Sequence, residues 1–141
     1  METYDPSKII VTWNGIRITG FAPGEFVQVE PNADLYSTTV GAGGEVARSR
    51  NPDESAKVTL TLLGTSRVND LLSAKMKQDK LSNTGWGALL IKDLLGTTLV
   101  TSSRCWIERM PTVGMGAEVP TRQWVMRAAE LNVLVGGNVS T

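Results

Sequence analysis

At 141 residues, with 41% hydrophobic and 20% charged side chains, the chain has the composition of one globular domain that can bury a core without metal or disulfide staples. Its 14 basic and 14 acidic residues cancel, so no bulk field draws it toward nucleic acid or anionic lipid. Histidine is absent, which removes the commonest general base, the commonest zinc ligand and every Ser-His or Cys-His nucleophile.

The amino-terminal METYDPSKII has neither a basic start nor an apolar run of signal-peptide length, and no membrane-spanning apolar stretch follows. The expectation is a soluble chain that is not conventionally secreted. Lys8 to Trp13 and Ile16 to Thr19 are β-rich runs separated by Asn14-Gly15, the pair that best tolerates a two-residue hairpin turn. Pro23-Gly24 punctuates the chain before FVQVE, a half-exposed third strand with Val27 and Val29 on one face.

Pro31 to Ser55 is then too long and too weakly apolar for an ordinary turn, since loops beyond about 12–15 residues are uncommon in a compact domain. It is an arm, at about 31–55, carrying Leu35, Tyr36, Val40 and Val46, which a solvating linker does not need. Two readings stand: a floppy surface hairpin, or an arm that pairs with a neighbouring subunit and orders only on assembly. Gly41-Ala42-Gly43-Gly44 lacks the spacing of a phosphate loop and reads as the turn at the arm's tip. Arg48 and Arg50 point the same way on an extended segment, either solvated or gripping carboxylates on another subunit.

Ala56 to Leu63 is the clearest strand, with Val58, Leu60 and Leu62 on its core face. Gly64-Thr65-Ser66 offers an N-cap for one helix, whose Val68, Leu71, Leu72 and Met76 recur at helical spacing, with Lys75, Lys77 and Lys80 outward and near its carboxyl end. Asn83-Thr84-Gly85 breaks the chain before a second hairpin system, Trp86 to Leu95 and Thr98 to Met110. A Gly- and Pro-rich loop from Pro111 to Pro120 precedes a long, bulged final strand, Arg122 to Val135, and the tail GGNVST is expected to fray. The fold class is mainly β: an antiparallel sandwich or partly closed barrel of seven or eight strands, one flanking helix and the long arm, in a single domain spanning 1–141.

No catalytic, cofactor-binding or metal-binding set emerges. Asp53 and Glu54 are adjacent and Asp5, Asp34, Asp70, Asp79 and Asp93 are scattered, without the pairing of an acid/base couple. Cys105, the single cysteine, sits in the apolar run CWI as a buried thiol, which suits a reducing compartment. Trp13, Trp86, Trp106 and Trp124 serve core packing or subunit contact, or else a stacking platform if they share an exposed face.

Taken together, KIIVTWNGIRITGFAPGEFVQVE, VGAGGEVARSRNPDESAKVTLTLLGTSRVNDLLSA, ALLIKDLLGTTLVTSSRCWI and TRQWVMRAAELNVLVGGN resemble a bacteriophage tail tube protein, of the small structural-protein family of contractile-tailed phages. The resemblance runs from about Tyr4 to Asn138 and extends to type VI secretion tube proteins. It implies a non-enzymatic virion protein without cofactor, assembled in the host bacterial cytoplasm into stacked hexameric rings. The hollow tube so formed passes DNA without specific binding, and its partners are further copies of itself, a sheath, a baseplate or initiator, and a tail terminator; no membrane is involved. The other reading is a monomeric β-sandwich binding module for carbohydrate or a protein ligand, with Trp86 or Trp106 as its platform.

Overall fold

Asn14 and Gly15 make the first turn. In the computed structural model, which describes residues 1–137, they hold φ of +52° and +79°, the left-handed pair a two-residue hairpin needs. The turn joins β1 (Ile9–Trp13) to β2 (Ile16–Ile18), with Trp13 opposite Ile16. There follow β3 (Val27–Pro31), β4 (Tyr36–Val40), β5 (Val46–Arg50), β6 (Ala56–Leu63), α1 (Val68–Ser82), β7 (Gly87–Asp93), β8 (Leu99–Arg109), β9 (Thr121–Ala128) and β10 (Asn132–Leu134).

The main sheet runs β2-β1-β7-β8-β9-β6-β3, antiparallel throughout, while β4 and β5 form a sheet of their own. The mainly β, antiparallel architecture with one helix expected from the sequence is present, its main body one continuous sheet. It curls toward itself without closing. The chain leaving β2 crosses to the far end of the strand order, where the Leu63 N–H donates to Gly20 O at 2.8 Å and the Ala22 N–H to Thr61 O at 3.1 Å. Gly20 makes that crossing at φ +76°, and a Cβ there would lie 2.6 Å from the Ser66 side chain, so both backbone and space require glycine.

Inside the curl, Val58, Leu60 and Leu62 of β6 are buried, with Met126 opposite Val58 and Trp124 opposite Leu60. Val11 and Trp13 of β1 and Leu89 of β7 belong to the same core cluster. Both buried indoles are satisfied: Trp13 Nε1–H donates to Cys105 O at 2.9 Å, and Trp124 Nε1–H to Asn69 Oδ1 at 2.9 Å. The second bond ties α1 to β9.

The helix buries Val68 and Leu72 and half-buries Met76, residues spaced by four. Leu71, expected on the same stripe, is 49% exposed; it lies about 100° around the helix from Leu72, beyond the narrow strip that meets the sheet. Ser66 Oγ accepts from the Val68 N–H at 3.3 Å and donates to Thr19 O at 2.8 Å, while the residue at the N-cap position is Arg67. Asn83 ends the helix at φ +57°, its N–H donating to Asp79 O.

The expected single strand from Arg122 to Val135 is two. β9 pairs with the last part of β8, whereas β10 pairs with its first part, Val133 opposite Val100. The corner between them is held by Glu130, which accepts from the Ser103 N–H and hydroxyl and forms an ion pair with Arg104 at 3.2 Å. Those bonds favour the ionised carboxylate and hold the Glu130 pKa below the usual carboxylate range. Of the tail expected to fray, Gly136 and Gly137 are tied to Thr97 and Thr98: the Thr97 N–H donates to Gly137 O, and the Gly136 N–H to Thr98 Oγ1. The remainder, 138–141, lies outside the described residues.

Candidate assembly surfaces

The arm, for which the sequence left open a surface hairpin or a segment pairing with a neighbouring subunit, is a laddered hairpin within one chain. Val40 faces Val46, Thr38 faces Arg48 and Tyr36 faces Arg50. At its tip the Gly44 N–H donates to Gly41 O at 3.0 Å and the Gly41 N–H to Glu45 O at 2.7 Å. Gly44 has φ +87°, the turn-plus-left-handed-residue pattern of a short hairpin loop.

Because opposed residues in an antiparallel pair share a face, Tyr36, Thr38, Val40, Val46, Arg48 and Arg50 lie together. Ser37, Thr39, Ala47 and Ser49 make the reverse face. The hairpin is thus two-faced, with the large apolar and cationic groups gathered on one side and only small residues, three of the four hydroxylated, on the other. Leu35 departs from the set: it sits at the base, where its carbonyl accepts from the Asn51 N–H at 2.9 Å. Residues 34–50 are all exposed, with Leu35 at 78%, Val40 at 64% and Val46 at 71%.

A chain of short polar bonds, which the sequence reading overlooked, fixes the arm's root. Asn51 Oδ1 accepts from the Asp53 N–H at 3.0 Å, and Asp53 Oδ1 accepts from the Ser55 N–H at 3.0 Å and its hydroxyl at 2.6 Å. Asn32 Nδ2–H in turn donates to Ser55 Oγ at 2.7 Å. The Ser55 hydroxyl, then its N–H, hold Asp53 below the ordinary carboxylate pKa. The spacing Asn-x-Asp-x-Ser was the legible sign, since such side chains bond the backbone two residues on.

Two further surfaces belong to the sheet. On the face away from the core, Glu30 is opposite Lys57 and Lys57 opposite Arg127, and Arg127 pairs with Glu108 at 2.5 Å. That hydrogen-bonded pairing lowers the Glu108 pKa and raises that of Arg127. The two cations sit side by side with an acid at each end, so the row sums to zero. On the core side lies an apolar groove of about 480 Å³ between β3 and β10, with Val27, Val29, Ile91, Val100 and Val133 along it and Glu25 as the one charged residue of its lining among the described residues.

The four tryptophans do not assemble into one platform. Trp13 and Trp124 are core residues, Trp106 is half-buried and Trp86 is 49% exposed. Cys105 is buried, which pushes its thiol up to about 12. Among the described residues no group of His, Cys, Asp or Glu is placed to hold a metal ion, and no helix is long and apolar enough to cross a membrane.

The family of the bacteriophage PhiTE tail tube protein matches residues 15–136. The chain belongs to that family. As a tail tube family member it is a structural component of a phage virion. Structural protein ORF10 of Pseudomonas phage KPP10 is 32% identical over 145 residues, covering 97% of this chain and 84% of that protein. The fold is shared with the tube-terminating cap of the anti-feeding prophage, at TM-score 0.63 and 11% identity over 95% of this chain and 92% of that one. A chain of the sheath-tube complex of the PVC extracellular contractile injection system aligns at TM-score 0.60 and 14% identity, over 97% and 93%. A chain of the native gene transfer agent virion aligns at 0.59 and 14%, over 94% and 100%.

Proposed function

We propose that the whole chain acts as one subunit of a hollow tail tube, built from stacked hexameric rings that conduct DNA, and that the arm joins subunits within it. The observation that carries this reading is the two-faced hairpin: a tail tube family member holds an apolar and cationic face away from its own body, with residues 34–50 exposed. A large unpartnered apolar face on a soluble chain marks an interaction site. Open sheet edges at β2 and β3 point the same way, because an unpaired edge invites aggregation unless a neighbour takes it up.

The outward row Glu30, Lys57, Arg127 and Glu108 suits a channel wall. Each cation there has an acid beside it, so passing phosphates find no unbroken cationic track to bind and stall on. The role is mechanical, carried by strand pairing and arm docking with no chemical step. The structural relatives include a sheath/tube terminator and a chain of a sheath-tube complex, and proteins of those kinds, with a baseplate or initiator, are the partners we assign, meeting the tube in the host cytoplasm. Negative-stain electron microscopy across a concentration series tests the reading: hollow tubes of stacked rings support it, and particles that stay monomeric at every concentration, with or without a nucleating end protein, contradict it.

A further inference from the structure

The geometry points to the receptor of the arm: the apolar groove between β3 and β10 of a second copy of this chain. This rests on the arm being an assembly element and names the surface that takes it.

Arm and groove match in three respects. The arm face presents Val40, Val46 and Tyr36 to solvent, while the groove has Val27, Val29 and Val100 along it; joining them removes two apolar surfaces from water at once. The charged groups on that arm face are Arg48 and Arg50, both cations, and the one charged side chain among the described lining residues of the groove is Glu25. A guanidinium fork reaching a carboxylate at the rim fixes orientation as well as sign. The backbone matches too. Among the described residues β3 is bonded to β6 alone and β10 to β8 alone, and each arm strand is bonded only to the other, so both sides offer free strand edges for strand addition.

The occupant is another copy and not the chain's own arm, because residues 34–50 are exposed throughout in the single chain. With five residues per strand, the hairpin offers about 17 Å of paired length beyond its root, enough to enter a neighbour. Arm into groove is a heterologous contact: each copy gives one arm and receives one, so the contact repeats from copy to copy, and wherever its rotation does not close a ring it extends the assembly along an axis.

The test is cross-linking in the full chain, where the native thiol of Cys105 is buried. Val40→Cys combined with Val133→Cys, oxidised mildly after assembly, is expected to give a ladder of covalent oligomers beyond the dimer, whereas either single variant stops at dimer. Glu25→Arg is expected to raise the protein concentration needed for tubes several-fold, and adding Arg48→Glu and Arg50→Glu in the same chain to restore it. Tubes that require the arm yet give no ladder and ignore Glu25→Arg would place the receptor elsewhere and leave the assembly role standing. Tubes that form without the arm, or a chain that never self-associates, would overturn both.

Discussion

The guanidinium carbon of Arg48 lies 4.2 Å from the centre of the Tyr36 ring, a diagonal contact across the arm between residues that face Thr38 and Arg50 directly. The contact holds the aromatic and cationic groups of the hairpin in one layer, on the side that Val40 and Val46 also occupy. Exposed cation–π pairs contribute about 0.5–1 kcal/mol, so its consequence for the stability of the chain is small. Its consequence for assembly is the arrangement of the face.

Val40→Asp places a charge in that layer without touching the core. The melting temperature is expected to stay put, since surface changes away from packed sites fall within about 0.5 kcal/mol, while tubes disappear from electron micrographs. A variant that melts as the parent does and still forms tubes would remove the arm face from the interface.

Leu60→Ala is the opposite experiment. Leu60 is fully buried opposite Trp124, and its truncation is expected to cost about 2–5 kcal/mol in chemical denaturation. A change smaller than that would show that the curled sheet collapses around the missing side chain.

How legible was all this in the chain? Asn14-Gly15 and the alternation of Val58, Leu60 and Leu62 are local signals, and the elements they specify are where spacing put them. The two-faced arm was half visible: Arg48 and Arg50 shared a face by parity, but that Tyr36, Val40 and Val46 joined them depends on the hairpin register, which the turn at Gly41–Gly44 sets. The split of the last strand was not visible, because the alternation resumes at Leu131 and Val133; only Glu130 meeting Ser103 and Arg104, distant in sequence, turns the corner. Leu71 misled for a similar reason, since helical spacing gives a stripe but not its width.

Glu108 and Arg127 make a surface pair of modest worth. Glu108→Gln is expected to lower stability by less than about 1 kcal/mol at neutral pH. Because the folded pKa of Glu108 lies below its unfolded value, that contribution is present above the unfolded value and is lost as pH falls through the folded one. Denaturation at neutral pH and in acid should therefore show a difference that vanishes in acid; an equal difference in both would assign the effect to packing.

Cys105 is expected to resist thiol reagents in the native chain, with burial holding its thiol at about 12 and thiolate being the reactive form. Labelling with a colorimetric disulfide reagent should be slow until denaturant is added. Rapid native labelling would mean that β8 opens readily.

Most direct of all is a helical reconstruction by cryo-electron microscopy of tubes assembled from the full chain. The account predicts that Val40 and Val46 of each arm are buried against a neighbouring copy; arms left pointing into solvent, with the tube held together by other surfaces, would contradict it.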